Sequence, residues 1–217
     1  MIIFRTQWQR WVGETVIVMA TGPSFRRPEA IGDCKVIAVN DAYKLFPEAD
    51  ILYACDERWW EVNIAQVRET CKAERWSSHS SRKNHDDKIR ASKLFDLWLV
   101  GAQHASSFCL DGSTIHYGGN SGFQAINLAL LFGAKRVLML GFDMMLDENK
   151  NVHYFGNHPA PLHTNHNFWE WIGIMNEAAA RLPSDIEIIN CSERTALTCF
   201  PRMSLQEALT KYVQIAA

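Results

Sequence analysis

Six short apolar runs, almost uninterrupted by polar residues, recur along the chain and are closed by turn formers or acidic residues. They are TVIVMA (15–20), KVIAVND (35–41), DILYACD (50–56), KLFDLWLVG (93–101), KRVLMLGFD (135–143) and IEIINCS (186–192). A strand with one wet face alternates apolar and polar residues. A continuous run belongs to a strand covered on both faces, as in a parallel sheet flanked by helices. The run at 93–101 also suits a helix. Three intervening segments have helical spacing. NSGFQAINLALLFGA (120–134) can be capped by Asn120 or Ser121 and closed by Gly133. NFWEWIGIMNEAAARLP (167–183) is halted by Pro183, and SLQEALTKYV (204–213) sets Ser204 and Glu207 at capping-box spacing. The alternation predicts an α/β fold: a doubly wound, mainly parallel sheet, with residues 1–217 forming one domain. The polar stretch ERWSSHSSRKNHDDKIRASK (74–93) breaks the pattern and is expected to be a lid or flexible segment.

Charge and cysteine usage narrow the function classes. A net charge of −2 supplies no global field for nucleic acid, so any such contact has to be local. No apolar run reaches the length of a membrane-spanning helix, and the opening MIIFRTQWQRWVGE does not read as a signal peptide. The six cysteines show no CxxC or finger spacing, and several adjoin apolar runs, as buried free thiols do. A reducing cytoplasm is the expected location.

Open parallel sheets bind ligands beyond the carboxyl ends of their strands. Several suggestive segments fall there. Thr21, Gly22, Pro23 and Ser24 follow the first run, where turn amides can cradle phosphate. The segment is neither GxGxxG nor a Walker loop, and an ordinary turn explains it as well. Asn40 and Asp41 end the second run and can bind a ribose or form an Asx turn. Asp56 ends the third, before Trp59 and Trp60, which are expected to pack in the core rather than stack on a base. In HYGGNSGFQ (116–124), glycines lead into a helix start, so Gly119, Asn120, Ser121 and Gly122 favour an anion unless the turn serves packing alone. Asp143 ends the fifth run and can hold a ribose or cap a loop.

Four of the eight histidines, at 153, 158, 163 and 166, fall in one segment just past that fifth run. Their spacing contains no HExxH and no cysteine is near, so acid–base chemistry fits better than a metal site. A polar loop ordered by imidazole hydrogen bonds is the alternative.

VIVMATGPSF, VIAVNDAY, SGFQAINLALLFGAKRVLMLGFDM, HYFG and IINCSERTALTCF occur in the order seen in a bacterial sialyltransferase family, whose enzymes use CMP-sialic acid on surface oligosaccharides. The set is also similar to pterin-diphosphokinase-like domains and to uncharacterised bacteriophage proteins that resemble them. It covers most of the chain outside 57–115. The resemblance implies a Rossmann-like fold and a glycosyltransferase that moves a sugar from a nucleoside-phosphate donor, CMP-type favoured, to an acceptor hydroxyl. No metal or other cofactor is then required. It puts Gly22–Ser24, Asn40 and Ser121–Gly122 against the donor nucleotide, and Tyr154 on its phosphate. Thr21 and Asp56 stand where the family has asparagines, and Met145 lies near the place of a second tyrosine. The family's base directly follows HYxG. Asn157 occupies that position here, which leaves His158, His163 or His166 as the base. Cations of the lid segment (Arg75, Arg82, Lys83, Lys88, Arg90 and Lys93) would suit the leaving phosphate or a polynucleotide acceptor. A surface glycan, or a hydroxylated DNA base if the chain is phage-borne and works in a host cytoplasm, is the expected acceptor. Two alternatives accompany this reading. One is a pterin-type pyrophosphokinase needing ATP and magnesium; the other is a non-catalytic nucleotide- or nucleic-acid-binding module.

Overall fold

The computed structural model describes residues 8–80, 90, 92–162 and 166–213. Its strands are β1 (Thr15–Met19), β2 (Lys35–Val39), β3 (Ile51–Tyr53), β4 (Glu74–Ser80), β5 (Trp98–Gln103), β6 (Thr114–His116), β7 (Arg136–Leu140) and β8 (Glu187–Asn190). They form one sheet in the order β6-β5-β4-β3-β2-β1-β7-β8, and all described pairings are parallel. The helices are α1 (Glu57–Thr70), α2 (Ser121–Leu131), α3 (Phe168–Ala180) and α4 (Leu205–Tyr212), with a 3-10 turn at Asn40–Lys44. The architecture is α/β and Rossmann-like.

Alternate residues of each inner strand serve opposite faces. Val16, Val18, Ile37, Val39, Val137 and Met139 pack with α2 and with Met175 and Ala178 of α3. Ile17, Met19, Val36, Ala38, Leu138 and Leu140 pack with Trp60 and Val67 of α1 and Leu209 of α4. Burial on both faces is why the sequence runs are continuous. Trp59 and Trp60 are core residues, as expected, and the Ser204–Glu207 capping box forms at α4.

Two strands escaped the sequence reading. β6 is only three residues long. β4 occupies the start of the polar 74–93 stretch and lies inside the sheet, between β3 and β5. The first part of that stretch is therefore not a lid; residues 81–89 and 91 lie outside the described residues. The run at 93–101 divides, turning helically at 92–95 before entering β5.

A polar strand can be interior because a helix supplies its partners. Every residue of α2 is buried, including Gln124 and Asn127. Gln124 Oε1 accepts hydrogen bonds from Ser78 Oγ on β4 (2.8 Å) and Tyr53 Oη on β3 (2.6 Å), while its Nε2 donates to the Tyr117 carbonyl (3.0 Å). Asn127 Oδ1 accepts from the amides of His116 (2.8 Å) and Cys109 (3.0 Å). Replacing Gln124 by leucine would strand two hydroxyls and a carbonyl in the interior, where each unsatisfied group costs about 1–3 kcal/mol. Gln124→Leu is thus expected to lower unfolding free energy by roughly 3 kcal/mol or more, and Ser78→Ala by about 1 kcal/mol, in urea titrations.

Candidate active-site cleft

The chain steps outward from β1 to β6, then returns across the sheet through α2 to enter β7 on the other side of β1. The loops after β1 and β7 consequently diverge from adjacent strand ends, which is where such sheets open a crevice. A cleft of about 400 Å³ lies there. It is lined by Thr21, Gly22, Asn40, Asp56, Gly119, Asn120, Ser121, Gly122, Asp143, His158 and His166 from the predicted set. His163 lies outside the described residues. Pro23, Ser24, Asp41 and Tyr154 do not line the cleft, and each has another part in its construction.

In the turn after β1 the amides of Gly22 and Ser24 are engaged by protein and are not offered to a phosphate. Gly22 N–H donates to the Gly141 carbonyl (2.8 Å), and Ser24 N–H donates to Asp143 Oδ2 (2.8 Å). Pro23 has no N–H to give. Ser24 Oγ donates to Asp143 Oδ1 (2.9 Å), so Asp143 anchors this loop instead of capping its own. Burial pushes the Asp143 carboxyl above its ordinary value, against the pull of the Ser24 bonds. A β-carbon on Gly22 would lie 2.2 Å from Asp143 Oδ1 and 2.5 Å from the Gly141 carbonyl oxygen, which explains the glycine.

The helix start does offer amides. Asn120 caps α2, its side chain accepting from Phe123 N–H (2.9 Å). Gln124 N–H bonds to the Asn120 carbonyl (3.3 Å). Ser121 and Gly122 are thus first-turn residues whose N–H groups have no intrahelical acceptor, at the positive end of the helix and on the cleft wall. Gly119, at φ +76°, brings the chain against the Trp171 ring, where a β-carbon would meet indole atoms at 3.0 and 3.1 Å. Cys55, at the end of β3, accepts a hydrogen bond at sulfur from Ser121 Oγ (3.0 Å).

Two acidic predictions and the tyrosine take on supporting parts. Asp56 caps α1 through Arg58 N–H (2.9 Å) while still facing the cleft. Asn40 adopts a left-handed φ of 49°, a conformation asparagine tolerates, and turns the chain into the 3-10 segment. That turn buries the Asp41 carboxylate, which accepts from Trp59 Nε1 (2.8 Å) and pairs with Lys44, so it holds protein rather than a ribose. Tyr154 Oη donates to the Asp41 carbonyl (2.8 Å) and its ring packs on Phe25. Its expected place on a donor phosphate is therefore corrected: its hydroxyl is bound to backbone away from the cleft lining.

The histidine segment folds over this floor. His158 Nε2 lies 3.7 Å from Asp41 Oδ2. Burial holds the His158 pKa below the ordinary 6.5; Asp41 opposes the shift and Lys44 adds to it. His153 was not among the candidate bases, yet it stands at the centre, with ring centroids 4.7 Å from His158 and 5.4 Å from His166. Its Nδ1 is 2.9 Å from Thr21 Oγ1, and its Nε2 is buried with no hydrogen-bond partner among the described residues. Its place in HYFG, just past the last inner strand, was the available signal. Phe168 and Trp171 of α3, also unforeseen, complete this wall. Among the described residues no group of three or more His, Cys, Asp or Glu is arranged to hold a metal ion.

Burial, with His158 and His166 beside it, pushes His153 down to about 4. An unfolded histidine titrates near 6.5, so between these values the unfolded chain binds the extra proton and stability falls as pH falls. The contribution is complete above pH 6.5 and amounts to a loss of about 2 kcal/mol between pH 7 and pH 5. His153→Gln should make the thermal midpoint less sensitive to this acidification by several degrees, read by calorimetry at the two pH values.

No protein-family model matches the chain, and no curated protein matches it in sequence. Among solved structures it is similar to the MAf glycosyltransferase from Magnetospirillum magneticum AMB-1, with a TM-score of 0.61 and 13% identity. The match covers 90% of this chain and 34% of that one, so the chain spans about a third of that protein's length. The likeness is one of fold.

Proposed function

We propose that the cleft binds a nucleoside-phosphate-activated sugar and transfers the sugar to an acceptor hydroxyl, with His158 as general base. One observation carries the reading. The amide end of α2 and a histidine whose pKa burial holds below its ordinary value, beside a buried carboxylate, meet at the same cleft, so an anion and a nucleophile can be managed together. The fold likeness to a glycosyltransferase agrees with it.

In this mechanism His158 takes the acceptor's hydroxyl proton as the oxygen bonds to the anomeric carbon. The bond from that carbon to the donor phosphate breaks, and the first-turn amides of Ser121 and Gly122 stabilise the charge left on the nucleoside phosphate. Asp41 positions His158 and stabilises the imidazolium that forms. A CMP-type donor is favoured by the resemblance in sequence; a glycan or a hydroxylated DNA base would serve as acceptor. No resident metal has a part in the scheme, and magnesium dependence would instead favour the pyrophosphokinase.

Release of nucleoside phosphate from CMP-, UDP-, GDP- and ADP-activated sugars tests this directly. His158→Gln is expected to lower kcat by about 10²–10⁴ with a small change in donor KM. Because the base must be unprotonated, the wild-type kcat at saturating donor should be flat above neutrality and fall on acidification, with an apparent pKa below 6.5. A chelator should leave it unchanged. Turnover that survives His158→Gln would exclude this histidine as the base.

A further inference from the structure

An anion site needs positive charge, and no lysine or arginine lines this cleft among the described residues. Two carboxylates do line it, Asp56 and Asp143. The helix end contributes a partial charge only. The remaining source is imidazole, and three of the chain's histidines surround one position. We propose that His153 is a conditional cation: it takes up a proton when the donor's phosphate enters, so that anion binding and proton uptake are one event. The inference rests on the reading of the cleft as a nucleoside-phosphate site.

His153 is suited to this by its surroundings. Thr21 Oγ1 fixes one ring nitrogen, and the other is buried without a partner on the cleft wall. The groups acting on it are few. His158 and His166 disfavour its charge, while Asp41 and a hydrogen bond to the Thr21 backbone favour it. Lys44, which acts on His158, is itself paired with Asp41. Without an anion the burial and the neighbouring rings keep His153 neutral; a phosphate oxygen at Nε2 supplies both the missing hydrogen-bond partner and the countercharge. His158 is less suited, because a base that has already taken a proton is of no use to the acceptor. The arrangement also favours a charged donor over a neutral sugar, which brings no countercharge.

The probe is cytidine 5′-(methyl phosphate), an ester whose single negative charge is constant between about pH 6 and pH 8. Affinity should strengthen close to tenfold for each unit of falling pH across that window, the signature of one linked proton. Calorimetry at pH 7 in buffers of different ionisation enthalpy should count about one proton taken up per site. In His153→Gln the pH slope should be lost, and in His166→Gln it should persist. Nitrogen-15 histidine spectra of the wild type, with and without the ester, identify the ring that becomes charged even if a variant fails to fold. Binding without proton uptake, or uptake on another ring, overturns the proposal and leaves the cleft reading intact. No binding of the ester or of any nucleotide at any pH overturns both.

Discussion

The fold depends on a contact between two loops that leave neighbouring strands in opposite directions. β1 and β7 are adjacent and parallel, but the chain departs from them toward different sides of the sheet. Left alone, their exits would splay apart. Asp143 holds them together by accepting both the amide and the hydroxyl of Ser24, with Gly22 pressed on the Gly141 carbonyl beside it. That lock fixes the floor of the cleft, and the Thr21 carbonyl next to it accepts the Tyr154 amide (3.0 Å), which docks the histidine segment above. The residues that resemble a nucleotide-binding turn are thus the frame of the cleft, while the cleft-facing amides of Ser121 and Gly122 belong to the helix opposite.

The sequence made the doubly wound sheet legible because burial on both faces leaves an unmistakable trace: β1, β2, β3, β7 and β8 are continuous apolar runs. β4 left none. Its inner positions include Ser77 and Ser78, and the partner that makes Ser78 acceptable sits on a helix distant in sequence. No local pattern encodes such a pairing. The helix caps at Asn120 and Ser204 were legible for the opposite reason, since capping is decided within four residues.

Much of the cleft lining was legible from one rule, that ligands gather beyond strand carboxyl ends, applied to Gly22, Asn40, Asp56, Ser121 and Asp143. What each residue does there was not. Asp41 and Tyr154 adjoin cleft-lining residues in sequence yet face protein: the 3-10 turn begun at Asn40 turns the Asp41 side chain inward, and the Tyr154 hydroxyl is held by the Asp41 carbonyl. His153 was passed over because spacing says which histidines are close in sequence, not which ring the others enclose. The result is a cleft lined by carboxylates, imidazoles and a helix end, with no lysine or arginine among the described residues.

The bond between Ser78 and Gln124 spans forty-six residues, and its direction along the chain matters to a ribosome. β4 emerges first, carrying serines and no continuous apolar run; the glutamine that satisfies it follows with α2. Until that helix is made, the half of the sheet from β4 to β6 lacks both its cover and its polar partners. Nascent chains stopped within that interval therefore present an uncovered sheet face with unsatisfied polar groups, and the order of synthesis makes α2 the element whose arrival closes the far side of the sheet.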